Sequence, residues 1–313
     1  MAENGLWFTA SDGKKLSYLK MLPSGPVKAV VVVGHGMNDH KERFFSLGQA
    51  LAAIGLAVYM PDLRGHGDTD QTEDKGYLAD TGGFERVLKD LVELGAFAVQ
   101  EQSSVRGAPL GLYYFGHSFG ALLGMALAGM YGERFAGIVL SAPPEKPDFF
   151  TSFFGRIIVW VGKHIKGPHA PGILPNTITF GGYAKTVKNA RTKFDWLTRD
   201  SKIVDAYIAD PKCNFVCSYG FYDDLMHGLS KVYGKGFLEA IPKSLPIYLF
   251  CGSEDPVIGK EAGFNTLTER FRALGLKDFE AKCYPGGRHE SLNELARHEV
   301  LQDVTAWFAK HLA

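Results

Sequence analysis

Hydrophobic and polar positions follow two different periods along this chain, and the order of those periods predicts its architecture. Residues 6–10 and 16–22 alternate with period two around Ser11-Asp12-Gly13-Lys14, which predicts an opening β-hairpin. Val27 to Val33 is a continuous run rich in β-branched residues, the pattern of a strand covered on both faces. A helical pattern over about 42–54 and a second buried strand, Leu56 to Met60, come next. Apolar or small residues at 84, 87, 88, 91, 92, 95, 98 and 99 predict a long helix over 83–100. Strand 110–115, helix 119–131 and strand 136–140 continue the alternation, which implies a mostly parallel sheet covered by helices.

The rhythm then breaks. Residues 143 to about 242 open on Pro143-Pro144 and contain no buried-strand run. It resumes with strand 246–251, a helix over 260–274, strand 279–284 and a last helix over 291–311. The chain reads as an α/β core with an eight-stranded, mostly parallel sheet, residues 1–142 and 243–313, interrupted by a helical cap at 143–242. Because the insertion leaves just after one strand, the cap is expected over the carboxyl edge of the sheet.

Composition narrows the function classes. Lys plus Arg and Asp plus Glu number 34 each in 313 residues, so no charge excess points to a nucleic-acid partner. Cys213, Cys217, Cys251 and Cys283 form no C-x-x-C pair and no His-rich metal pattern. Free thiols in a reducing compartment are the expectation, with no metal. The first residues carry no basic segment followed by an apolar stretch, and no apolar run reaches the roughly 20 residues of a membrane span. A cytoplasmic protein is therefore expected.

The chemistry concentrates at strand ends. Gly116-His117-Ser118-Phe119-Gly120 fits G-x-S-x-G between a predicted strand and a predicted helix, which places Ser118 as a nucleophile on a sharp turn. A serine hydroxyl needs a base, and the base needs an orienting acid. Strand 246–251 runs into Gly252-Ser253-Glu254-Asp255-Pro256, and strand 279–284 runs into Pro285-Gly286-Gly287-Arg288-His289. Asp255 is the candidate acid, with Glu254 as its competitor; His289 is the candidate base, with His35 and His117 less well placed. The N–H groups of Phe119 and of Met37, on Gly34-His35-Gly36-Met37, are the candidate oxyanion donors. The same loop fails G-x-G-x-x-G because position 39 is Asp. Asp62-Leu63-Arg64-Gly65-His66-Gly67 is expected to brace this edge rather than react.

Together these motifs resemble the α/β-hydrolase superfamily, and more narrowly its monoacylglycerol lipase and bacterial lysophospholipase branch of serine aminopeptidase S33 type. The resemblance covers nearly the whole chain. It extends to Tyr284-Pro285-Gly286-Gly287-Arg288-His289-Glu290-Ser291-Leu292-Asn293-Glu294 and, in the insertion, to Phe194-Asp195-Trp196-Leu197-Thr198-Arg199-Asp200 and Asp210-Pro211. It implies carboxylic-ester hydrolysis without a cofactor, through an acyl-serine, on small acyl esters such as monoacylglycerols or lysophospholipids. Residues 37, 118, 119, 255 and 289 fall on its functional positions. Amide, peptide or acyl-transfer chemistry at the same serine, and a non-catalytic ligand-binding relative, stay open as alternatives.

The insertion bears on the substrate. Apolar residues at 149, 150, 153, 154, 157, 158, 161 and 165 make one face of a helix edged by Arg156, Lys163 and Lys166, with Gly155 and Gly162 weakening it. That face either packs on the rest of the protein or serves as a lid that lines an acyl pocket and makes transient contact with a membrane surface. Gly36, Met37, Phe119, Phe149 and Phe150 are the candidate substrate-binding residues. Cys213 and Cys217 are expected on one helical face as inert thiols, and Asp223 and Asp224 as a solvated or capping pair.

Overall fold

The computed structural model describes residues 2–312. The hairpin is β1 (Ala2–Thr9) and β2 (Lys15–Met21). There follow β3 (Ala29–Gly34), α1 (Phe45–Ala53), β4 (Leu56–Pro61), α2 (Gly83–Arg106), β5 (Gly111–His117), α3 (Phe119–Tyr131) and β6 (Gly137–Ser141). Four helices precede the next strand: α4 (Phe149–Lys166), α5 (Ile173–Ala184), α6 (Ser201–Ala209) and α7 (Tyr219–Val232). The chain closes with β7 (Ile247–Gly252), α8 (Lys260–Ala273), β8 (Phe279–Tyr284) and α9 (Arg297–His311). The last helix begins later than the sequence pattern predicts. Glu294 is extended there, and its carboxylate accepts N–H groups from Arg199, Arg288 and Leu295, which interrupts the helix.

The strands form one sheet in the order β1-β2-β4-β3-β5-β6-β7-β8. The hairpin pairs antiparallel with β4, and every pairing from β4 to β8 is parallel. Parallel strands need crossovers that cover both faces, so their residues are buried on both sides. Val30, Val32 and Tyr59 face the layer of α2, α3 and α8, while Val31, Val33 and Val58 face α1 and α9. Successive crossovers run in opposite directions from β3, since β4 lies on one side of it and β5 on the other. That reversal opens a crevice at the carboxyl edge, the usual ligand site of such sheets.

The segment between β6 and β7 packs on the rest of the chain at two levels. Phe221 and Tyr222 of α7 are buried in the main core, and Gly228 abuts the Phe84 ring of α2. Phe194, Trp196, Leu197, Val204, Tyr207 and Cys213 form a smaller apolar cluster that docks on Val257, just after β7. Cys213 and Cys217 lie in the turn between α6 and α7 rather than on a helix, because Asp210 and Ser218 cap the flanking segments. The two acids of α7 divide their roles: Asp223 pairs with Lys163 at 2.6 Å, while Asp224 accepts the first N–H groups of α2. Among the described residues no helix is long and apolar enough to cross a membrane.

Candidate active site

The turn after β5 is built by what its glycines lack. A Cβ at Gly116 would lie 2.2 Å from the Gly120 carbonyl oxygen, and one at Gly120 would lie 2.2 Å from that of Gly34. This close packing of strand and helix leaves Ser118 at φ 55, a left-handed conformation that a serine adopts only under constraint. Its N–H donates to the Ser141 carbonyl at 2.9 Å, and its own carbonyl accepts the N–H groups of Ala121 and Leu122. Ser118 therefore stands at the positive end of α3, with its side chain on a cavity.

Asp255 and His289 leave adjacent strands and meet. Asp255 is buried, and both of its carboxylate oxygens lie 3.0 Å from Nδ1 of His289; one also accepts the Val257 N–H at 2.9 Å. Glu254 points away, exposed and paired with Lys260 at 3.0 Å. Among the described residues His289 Nε2 has no hydrogen-bond partner, and Ser118 and His289 line the same cavity. The His289 ring has two tilted ring neighbours, His117 with its centroid 4.8 Å away and Trp196 with its centroid 5.3 Å away. Burial, aided by the adjacent His289, keeps the pKa of His117 well below its ordinary value, so it is a neutral neighbour held to Ser141 Oγ at 3.1 Å.

The Gly34–Met37 loop is pinned through its histidine. The Leu63 N–H donates to His35 Nε2 at 2.9 Å, so Nδ1 carries the proton and donates to the Gly36 carbonyl at 2.7 Å. Burial lowers the His35 pKa and keeps the ring in that neutral form. Gly36 packs so closely on Ser118 that a Cβ there would lie 3.3 Å from the Ser118 Cβ. Met37 follows, and Phe119 opens α3 where an N–H has no intrahelical acceptor. Both residues line the cavity. Behind them, Asp62 accepts from Lys41 Nζ at 2.5 Å and from the Asp68 N–H at 2.8 Å, and Arg64 is bonded to Asp90 and Asp12.

Sequence reasoning missed a charged group on the wall. Arg43 makes a two-pronged ion pair with Glu290, at 2.8 and 2.6 Å, and bonds Asp39 at 3.1 Å. Burial is the largest single influence and works to raise the Asp39 carboxyl, but Arg43 together with His35, His40 and His117 outweighs it and holds it at about 2. Arg43 and Glu290 are 247 residues apart, and nothing local in either stretch signals the pairing. Most of the remaining wall comes from the segment between β6 and β7, with Thr179, Phe180, Tyr183, Trp196, Leu197, Tyr207 and Leu225, and Val257 after β7 adds to it. It is fastened by Glu290 N–H to the Leu197 carbonyl at 2.7 Å and by Arg288 to the Asp195 carbonyl at 2.6 Å.

Two expected lining residues are elsewhere. Phe149 and Phe150 do not line the cavity and are 74% and 68% exposed. Asp148 caps α4 by accepting the N–H groups of Phe150 and Thr151, and this sets the first turn with its rings toward solvent. The helix packs instead by its small side. Gly155 meets Met226, Gly162 meets Tyr219, and Val159 between them is buried. His40, Asp210 and Cys213 are the one group of three potential metal ligands among the described residues. His40 Nε2 and Asp210 are spent on each other at 2.9 Å, and burial pushes the Cys213 thiol up, so the group ties loop to turn.

Comparison with known proteins agrees with this architecture. A family model for serine aminopeptidase, S33, matches residues 25–296. A monoacylglycerol lipase of Mycolicibacterium smegmatis is 28% identical, covering 97% of this chain and 96% of that one. A monoglyceride lipase of Mus musculus is 25% identical, covering 97% of this chain and 89% of its own length. A thermostable carboxyl esterase from Bacillus coagulans, solved in complex with glycerol, shares the fold with a TM-score of 0.89 at 23% identity, over 100% of this chain and 99% of that one. With the family model spanning most of its length, the chain belongs to the serine aminopeptidase S33 family of α/β hydrolases.

Proposed function

We propose that this chain is a serine carboxylic-ester hydrolase acting through an acyl-serine on monoacylglycerols or lysophospholipids. The observation that carries the reading is Ser118 at φ 55 on the same cavity as the bonded His289–Asp255 pair. In this reading His289 Nε2 takes the Ser118 proton as Oγ attacks the ester carbonyl. Asp255 keeps the other ring N–H in place and stabilises the imidazolium. The Met37 and Phe119 N–H groups hold the oxyanion, each worth about 2.7–4 kcal/mol. His289 then protonates the leaving alcohol and activates the water that releases the acid.

An ester fits the wall better than a peptide with a free amino end. Asp39 and Glu290, the lining carboxylates, are both bonded to Arg43 and leave no unpaired acid for an ammonium group. Met37, Phe180, Leu225 and Val257 offer an apolar lining suited to an acyl chain. The relatives named monoacylglycerol lipase support the same substrate class. Residues 143–242 act as the cap of a core made of residues 1–142 and 243–313.

The exposed side of α4, with Phe149, Phe153 and Ile165, and of α5, with Ile173 and Ile178, makes transient contact with a lipid surface. So many exposed large apolar side chains on two neighbouring helices are rare on a monomer that meets only water, and Arg156 and Lys166 of α4 add positive charge beside them. The unpaired thiols fit a cytoplasmic setting.

The test is hydrolysis of glycerol monoesters and lysophospholipids with butyryl to stearoyl chains, with Ser118→Ala as control. Turnover of long-chain monoesters that the variant abolishes supports the reading. Equal activity of the variant, or activity confined to chains shorter than hexanoyl, overturns it.

A further inference from the structure

Cys251 and Cys283 read as unrelated thiols in the sequence, 32 residues apart, yet they are direct register partners on the parallel strands β7 and β8. Their Sγ atoms lie 4.0 Å from each other. Cys251 is buried and Cys283 is half-buried on the strand at the edge of the sheet. Neighbouring strands run about 4.7–4.9 Å apart, within the roughly 4.4–6.8 Å of Cα separation that a disulfide spans. Neither cysteine lines the cavity.

We propose that Cys251 and Cys283 are a dithiol that hydroperoxides oxidise to a disulfide, and that this bond slows the enzyme by shifting the loops of Asp255 and His289. The second half rests on the function proposed above. Cys283 reacts first. A hydrogen bond from the Cys251 thiol holds the Cys283 pKa below its ordinary value, whereas burial pushes Cys251 up, so Cys283 is the readier thiolate. The thiolate attacks the hydroperoxide, an S–O bond forms as the O–O bond breaks, and the leaving oxygen takes up a proton as alcohol or water. Cys251 then attacks the sulfenic sulfur, the S–S bond forms, and the departing hydroxide takes the Cys251 proton to leave as water. The peroxide gains two electrons and the thiol pair loses two.

The strand ends transmit the change. Gly252 follows Cys251 and abuts Gly287 so closely that a Cβ would lie 2.1 Å from the Gly287 carbonyl oxygen. Ser253 N–H donates to the Tyr284 carbonyl at 3.0 Å, Glu254 N–H to the Gly287 carbonyl at 2.8 Å, and Gly286 N–H to Ser253 Oγ at 2.8 Å. A disulfide draws its sulfurs to about 2.05 Å. β8 is paired on one side alone, so the shift falls on it and on the loop that ends at His289.

The experiment treats the reduced full chain with hydrogen peroxide, blocks remaining thiols, and maps peptides by mass alongside turnover of a soluble ester. Expected are a peptide pair linked through residues 251 and 283 and a loss of activity of about tenfold to a hundredfold, as small misplacements of reacting groups produce. Dithiothreitol should reverse both. Cys283→Ser and Cys251→Ala should keep their activity under peroxide, and Cys213→Ser should respond like the unaltered chain. Absence of the link, a link without loss of activity, or loss of activity in Cys283→Ser would each overturn the proposal. A reduced chain with no esterase activity counts against the function instead; the link and the His289 imidazole proton resonance then judge the dithiol without turnover.

Discussion

α3 and α4 are both rich in large apolar residues, and they finish in opposite environments. Every residue of α3 from Phe119 to Ala128 is buried, whereas α4 buries only Val159 and Gly162. The difference lies in where each helix leaves the sheet. α3 follows β5 in the middle of the sheet, so α2, α7 and the sheet enclose it. α4 starts beyond Pro143-Pro144, outside the layers, and meets α7 along one narrow strip of small residues. Hydrophobicity thus serves two ends in one chain. In α3 it holds the fold and carries Ser118; in α4 the outward rings are available to something other than this protein.

Ser118→Ala should break the α3 side most severely, lowering turnover of a soluble ester by about 10⁴-fold or more. Phe149→Ser on α4 should leave that turnover unchanged. Next in size is stability. Leu122→Ala, fully buried in α3, should cost about 2–5 kcal/mol in denaturant melts, against about 0.5 kcal/mol or less for Phe153→Ala on α4. An equal loss at Phe153 would show that the outer face of α4 is part of the core.

Vesicle sedimentation probes the α4 face directly. Phe149→Ser with Phe153→Ser should weaken binding to lipid vesicles by about a hundredfold or more, since each buried Phe is worth roughly 1.5–3 kcal/mol. Undiminished binding would remove the lipid surface as the partner of that face. Gly162→Val tests the packed strip: a Cβ there falls 2.1 Å from the Tyr219 ring, and overpacking of this kind costs about 1–3 kcal/mol.

The smallest effect concerns Asp224 of α7, the helix on which α4 rests. Burial, chiefly, raises its pKa from 3.8 to about 6. The folded state therefore holds this proton more tightly than the unfolded chain does. Its contribution is fully present below about pH 3.8 and is lost as pH rises through about 6. Over that window the shift sets an upper bound of about 3 kcal/mol, which solvent screening of the partly exposed carboxyl cuts to on the order of 1 kcal/mol. The unaltered chain should lose that much relative to Asp224→Asn, whose amide keeps an acceptor for the α2 N–H groups. Parallel stability curves for the two proteins would refute this.

Much of the site was legible because its signals are local. A strained serine needs glycines two residues to either side, and buried parallel strands need unbroken apolar runs; both appear as short patterns. The same runs placed Asp255 and His289 just past two strand ends. The sequence already favoured Asp255 over Glu254, and the structure adds which way the loop turns each of them, Asp255 onto His289 and Glu254 toward Lys260. The segment between β6 and β7 was least legible. Phe194 to Asp200 and Arg288 to Glu294 stand out separately in the sequence, and only folding shows that they fasten to each other.

By itself, then, the sequence determined the order of strands and helices, the turn that strains Ser118, and the strand ends that bear an acid and a histidine. These depend on backbone sterics and on periodicity within a few residues. The tertiary structure alone decided that Arg43 neutralises Asp39 and Glu290, that Cys251 faces Cys283, and that α4 packs by its glycines with its phenylalanines outward. Each of these depends on which distant surfaces the sheet order brings together, and the periodicity of one segment carries no information about the partner it will meet.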